Sequence, residues 1–266
     1  MSENWLKFAS RRVKPARIDT KVPNPARVWD AMNGGRDNFE TDRQVARQLV
    51  AVTPSLAQAA LAVHAFCGRV VRLAGEAGIR QFLDISLGLR DASSIHAAGR
   101  AVAPGSRFVF VANDPMVLSH TRATLHSSAE GRVICVVADP LNIESVVRAV
   151  SGSLDLAEPV AVVMSDSLIF VQDVSAVVAR LAAWMPSGSY LGVIQGDERL
   201  AVAARRWTYF FDGPVYLRDR HEVAGWFTGL DLVEPGVVEI HRWRPAPDDP
   251  ECQDGVPLLG AVARTR

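Results

Sequence analysis

The spacing of apolar positions along the chain changes near residue 79. Upstream, Leu56, Ala60, Val63, Ala65, Phe66, Val70 and Leu73 recur at steps of three and four, the period of one helix face. This spacing predicts a helix over 55–74, preceded by helices over 26–32 and 42–52. Asn24 followed by Pro25 is a helix-start signature, a polar cap with proline in the first turn, and Asn33-Gly34-Gly35 closes that helix. Downstream, short runs rich in Val, Ile and Phe alternate with longer amphipathic segments. Strands are expected at 81–85, 107–111, 132–137, 160–165 and 190–194. Helices are expected at 92–101, 115–125, 143–150 and 174–183. Such alternation implies right-handed βαβ crossovers and a mainly parallel α/β sheet covered on both faces. Further on, 218–228 reads as a helix. The runs 230–234 and 237–243, joined by Pro235-Gly236, read as an antiparallel pair at one sheet edge.

The chain then divides into a loosely held basic tail over 1–23, a helical region over 24–78, an α/β domain over 79–245 and an exposed Pro- and Asp-rich extension over 246–266. Its 266 residues are 48% hydrophobic and 22% charged, the balance of an ordinary globular protein. Lys+Arg and Asp+Glu both number 29. A zero net charge supports no general attraction to nucleic acid or acidic membrane. Cys67, Cys135 and Cys252 stand far apart with no C-x-x-C pair, which argues against a disulfide framework or zinc cage and fits a reducing cytoplasm. No run of 18 uncharged apolar residues occurs, so no membrane span is expected, and the first residues lack the apolar segment of a secretory signal. The six histidines show no metal-ligand spacing, and His120 and His126 read as solvated helix-end residues.

In an open α/β sheet, ligands bind at the carboxyl ends of the strands, where strand order reverses. The expected tips carry polar residues in each case: Asp84-Ile85-Ser86-Leu87-Gly88, Asn113-Asp114, Asp139 and Ser165-Asp166-Ser167. Singly, each has a plain alternative. Asp114 before Pro115 is a helix cap, Asp139-Pro140 a turn, and Asp91 with Ser93 and Ser94 a helix start. The aromatic run Trp207, Tyr209, Phe210 and Phe211 reads as core packing in preference to a pocket wall. There is no G-x-S-x-G elbow, H-E-x-x-H helix or G-x-x-x-x-G-K-[ST] loop.

The segments Ile18-Asp19-Thr20, Pro23-Asn24-Pro25-Ala26-Arg27-Val28-Trp29-Asp30 and Gly34-Gly35-Arg36-Asp37-Asn38-Phe39 resemble the N-terminal signature of an actinobacterial S-adenosylmethionine-dependent methyltransferase family. The resemblance runs on through Phe82-Leu83-Asp84-Ile85, Asn113-Asp114-Pro115 and His241-Arg242-Trp243-Arg244-Pro245. It implies a class I methyltransferase fold, a seven-stranded Rossmann-like sheet preceded by helices, with S-adenosylmethionine as cofactor. On that resemblance Asp84 and Gly88 line the methionine end, Asp139 accepts from the adenine amino group, Asp114 can stand in for a ribose carboxylate, and Ser86 and Asn113 complete the cofactor-binding set. Arg36 and Asn38, in a lid-like segment, close over the site and meet the cofactor carboxylate. Asp166 and Tyr209 are the side chains that can face the cleft as a base, and no catalytic residue is assigned. The partner implied is a small-molecule substrate, with a homodimer as one possible assembly.

The chain also departs from that family's pattern. Members read D-I-G-T-G-L-P-T after the first strand, where this chain has Ser86, Leu87 and Arg90. They carry an Asp at the position of Ala112 and commonly a His at the position of Ile169. Hydrogen bonds to a charged group contribute roughly 1.5–3 kcal/mol each, so a missing carboxylate at 112 implies weaker cofactor binding. A left-handed backbone at Ser86 would add about 1–2 kcal/mol of strain. Two alternatives to methyl transfer follow, a non-catalytic binding or regulatory protein of the same fold and a pocket reshaped for another reaction.

Overall fold

The computed structural model describes residues 18–86, 92–124, 131–247, 249, 251–252 and 255–266. Three helices lead, α1 (Pro25–Met32), α2 (Glu40–Val52) and α3 (Leu56–Glu76). The chain continues through β1 (Gln81–Ile85), α4 (Ala92–Val102), β2 (Arg107–Ala112), α5 (Pro115–Thr124), β3 (Arg132–Val137) and α6 (Ile143–Val150). It proceeds through β4 (Ala161–Met164), α7 (Val174–Trp184), β5 (Tyr190–Gly196), α8 (Ala201–Phe211) and α9 (Arg220–Gly225). It ends in β6 (Asp231–Leu232), β7 (Val238–Glu239) and β8 (Leu258–Arg264). The strands form one sheet in the order β3-β2-β1-β4-β5-β8-β6, with β7 also pairing with β8. Pairings among β1 to β5 are parallel, and those of β8 are antiparallel.

Side chains alternate between the two faces, as the two-residue period of a strand requires. Phe82, Phe108, Ala161, Val163 and Ile194 face a core built with α3 and the other leading helices. Leu83, Ile85, Val109, Val162 and Val193 face a second core with α6 and α7. On composition and length α3 is apolar enough to cross a bilayer. Here its apolar residues pack on the sheet, with Phe66, Val70 and Ala74 fully enclosed. Gly192 on β5 permits this approach, because a Cβ there would stand 2.9 Å from Val70 Cγ1. Arg69, also buried on α3, donates to the carbonyls of Trp243 (2.7 Å) and Ile240 (2.5 Å) and pairs with Asp249, so it fastens the segment leading to β8.

Two expectations are corrected. The segments 230–234 and 237–243 do not pair with each other. Each contributes two residues to a ladder with β8, and the second continues into a 3-10 turn at Ile240–Arg242. Residues 258–264 are not part of an exposed extension. They form a strand whose residues are buried up to Ala263, inserted between β5 and β6 and aligned with β5 from Tyr190↔Arg264 to Gly196↔Leu258. The run Leu258-Leu259-Gly260-Ala261-Val262-Ala263 carries the continuous apolar character of a strand buried on both faces, and the Pro- and Asp-rich residues before it hide that signal. Among the described residues the sheet therefore has eight strands, where seven were expected. Deleting residues 255–266 removes the partner of β5, β6 and β7. The expected outcome is loss of cooperative thermal unfolding followed by circular dichroism. A truncated chain melting like the full one would contradict this placement.

Candidate functional site

Strand order reverses between β1 and β4, with β2 and β3 on one side and β5 on the other. The last aligned pair there is Ile85↔Met164, so Ser86 and Ser165 stand side by side at the two tips. Both are buried. Ser86 keeps a relaxed backbone, since positive φ at non-glycine positions is confined to Asp212 and Arg244 among the described residues. The strain expected at Ser86 is absent.

On the β1–β2–β3 side, Ala112 aligns with Val137, which places Asn113 and Asp139 just past neighbouring tips. Neighbouring strands lie about 4.8 Å apart, so Ser86, Asn113 and Asp139 span roughly the length of a nucleoside. Asn113 and Asp139 are exposed. Asp139 Oδ1 accepts from the Leu141 N–H (3.0 Å) in a local turn. Asp84 is buried two residues below the β1 tip, beside a small internal void shared with Val71, Phe82 and Phe108. Gly88 and Leu87 lie outside the described residues.

Asp114 has a structural task instead of the ribose role. Its Oδ1 accepts from the Met116 (2.7 Å) and Val117 (3.2 Å) N–H groups at the start of α5, and its Oδ2 accepts from Asn24 Nδ2 (3.0 Å). Ala112 is buried in an apolar cluster with Ala26, Val117 and Leu118, so helix α1 rests on the tip where the resemblance implies a carboxylate.

The leading region is clasped and not open. Asn38 Nδ2 donates to Asp30 Oδ2 (2.7 Å) and to the Gly35 carbonyl (2.9 Å), and its Oδ1 accepts from Arg43 Nη1 (2.9 Å). The expected contact of Asn38 with the cofactor gives way to this internal clasp. Arg36 is exposed in the same loop. Burial pushes the Asp30 carboxyl above the ordinary carboxylate range, opposed by its hydrogen bonds from Asn38 and the Asp37 N–H (2.8 Å). His120, expected at a solvated helix end, pairs with Asp37 and joins this loop to α5.

On the β4–β5 side a cleft of about 520 Å³ opens between the strand tips and the leading helices, lined by Asn33, His64, Ser165, Asp166 and Gly196 among others. A second cleft, about 490 Å³, adjoins it under Leu49, Phe170 and Trp207. Trp29, Ile169 and Leu258 line both. Asp166 thus faces a cleft as expected, whereas Tyr209 is 77% exposed and outside both. Trp207 is both core residue and cleft wall. His64 was not singled out by its sequence spacing to other histidines. It lies four residues after Ala60, on one helix face, and both line the cleft. Ser165 is 3% exposed, and its Oγ is buried without a hydrogen-bond partner.

A mostly parallel sheet with its polar crevice at the strand-order reversal, capped by helices, defines a doubly wound α/β protein of the kind that binds ligands at its strand ends. A family model described as S-adenosyl methyltransferase matches residues 11–266, and the chain belongs to that family. Two solved structures are similar along nearly the whole length. A protein of the DUF574 family from Streptomyces avermitilis shares 36% identity with TM-score 0.86, covering 94% of this chain and all of that one. A candidate methyltransferase from Thermobifida fusca shares 32% identity with TM-score 0.83, covering 93% of this chain and 97% of that one. Among curated proteins no relative matches. S-adenosylmethionine is the family's cofactor, and the donor set fits it in an altered form. Asn113 and Asp139 are exposed polar groups at adjacent tips, and Ser86 brings a hydroxyl to the reversal point. The usual ribose carboxylate is replaced by the apolar seat at Ala112.

Two substitutions test this division of labour. Asp114→Ala removes a helix cap and a link to Asn24, and is expected to cost about 1–2 kcal/mol in urea unfolding. Ala112→Asp buries a carboxylate in the seat of α1 and is expected to destabilise by at least about 1–3 kcal/mol. A neutral Ala112→Asp would mean that this tip opens to solvent.

Proposed function

We propose that this chain transfers the methyl group of S-adenosylmethionine to a small molecule held in the Trp29–Asp166 cleft. The observation that carries the reading is the seam at Ser86 and Ser165. A ligand along the β1–β2–β3 tips and one in the β4–β5 cleft meet there, at buried neighbouring positions.

The bound cofactor supplies an electrophilic methyl group on a sulfonium. The chain's own work is alignment, because an in-line displacement gains most of its rate from holding the reactants in attack geometry. Asn113 offers an amide to the ribose hydroxyls, Asp139 a carboxylate to the adenine amino group, and Ser86 a hydroxyl near the methionine end. Ser165 positions the acceptor. The helices clasped over 24–78 exclude water from the seam. The features that suggest a non-catalytic protein have structural accounts of their own. Ser86 is unstrained, and Ala112 seats α1.

Isothermal titration tests the reading. S-adenosylmethionine and S-adenosylhomocysteine are expected to bind in the micromolar range, and Asn113→Ala to weaken both by roughly tenfold, the effect of one hydrogen bond of about 0.5–1.5 kcal/mol. Absence of heat with either compound at millimolar concentration would overturn the proposal.

A further inference from the structure

The two adjoining clefts differ in chemistry. The inner one carries polar side chains, Asp166 and the buried, unpartnered Ser165 Oγ from the β4 tip and Asn33 and His64 from the leading helical region. The outer one is lined by Met32, Leu49, Phe170, Ala204, Trp207 and other apolar residues, and none of its lining residues is charged. Ile169 stands where the two join, with Trp29 and Leu258. Its side chain closes on Gly196, where a Cβ would stand 2.8 Å from Ile169 Cδ1. The junction is therefore narrow and apolar.

A fixed charge seated in the outer cleft would lose its hydration without gaining a partner, a cost of several kcal/mol. A neutral ring loses nothing comparable and gains contact with two tryptophans. At the inner end, an acceptor hydroxyl or amine satisfies the Ser165 Oγ, whose burial without a partner is otherwise unfavourable. We infer that the acceptor is a neutral amphipathic molecule, a ring-sized apolar body in the outer cleft bearing one hydroxyl or amino group in the inner cleft, with His64 as its general base. The inference rests on the methyl-transfer reading for the reaction, though not for the binding.

For a hydroxyl acceptor, an oxygen lone pair forms the bond to the methyl carbon. The carbon–sulfur bond breaks with its electron pair left on sulfur, and the hydroxyl proton passes to the imidazole of His64. An imidazole is suited to this role, and Asp166 lines the same cleft.

The test uses the full chain with two probes of the same ring system, 1-naphthol and naphthalene-1-sulfonate, each titrated calorimetrically. 1-Naphthol is expected to bind at least tenfold more tightly, and Ala204→Phe, which fills the outer cleft, to weaken it at least tenfold. Equal affinity for the sulfonate overturns the inference whether or not the variant folds. So does naphthol binding that a folded Ala204→Phe chain leaves unchanged. Cofactor binding without naphthol binding defeats the acceptor class alone, and naphthol binding without cofactor binding defeats the methyl-transfer reading alone. If 1-naphthol is methylated, His64→Gln is expected to lower turnover at least a hundredfold. Undiminished turnover removes His64 from the role.

Discussion

The guanidinium of Arg27 and the carboxylate of Asp42 meet at 2.9 Å with exposures of 4% and 0%, and the placement of the whole site depends on that pair. Two buried charges are unfavourable unless their remaining hydrogen-bonding capacity is met. Here it is met. Asp42 also accepts from the N–H groups of Asn24 (2.9 Å) and Phe39 (2.8 Å), and Arg27 Nη2 donates to the carbonyls of Asp19 (3.1 Å) and Val22 (2.5 Å). Residues 19–24, the start of α1 and the start of α2 become one unit. That unit reaches the sheet through Asn24 and Asp114, so a single polar chain sets the helices over the β2 tip.

This arrangement changes what the helical region is. A lid would join the sheet weakly and leave its polar groups for the ligand. In this chain Asn38, Asp30 and Asp37 bond to one another and to α5, and Ala26 packs on Ala112. The region acts as a fixed wall. A fixed wall favours alignment over capture, which suits a reaction whose difficulty is mainly one of orientation.

The alternation of strands and helices was legible because β1 to β5 and the helices between them carry strong, local periodic signals. The capping role of Asp114 was legible too, since proline after an acidic residue marks a helix start. Two things were hidden. The strand at 258–264 pairs with residues some seventy positions away, and no local pattern records a partner at that distance. The two adjoining clefts draw His64 from α3 and Asp166 from the β4 tip to the inner one and Trp207 from α8 to the outer one, a convergence that the packing of α3 and α8 on the same sheet face creates. Polar residues at strand tips stand out in the sequence as a group. Their individual roles were not readable, because an Asp that caps a helix and an Asp that awaits a ligand look alike in a sequence.

The substitutions at the cofactor side and those at the acceptor side have a common physical sense. Ala112 exchanges a solvated polar contact for an apolar seat beneath α1, and Ile169 lends apolar surface to the junction of the two clefts. Both make the surroundings of the Ser86–Ser165 seam drier. In a drier site, each remaining hydrogen bond and charge interaction is stronger because less water competes for it. Ser86, buried at the seam, gains most from this, whereas Asn113 and Asp139 stand exposed at their tips.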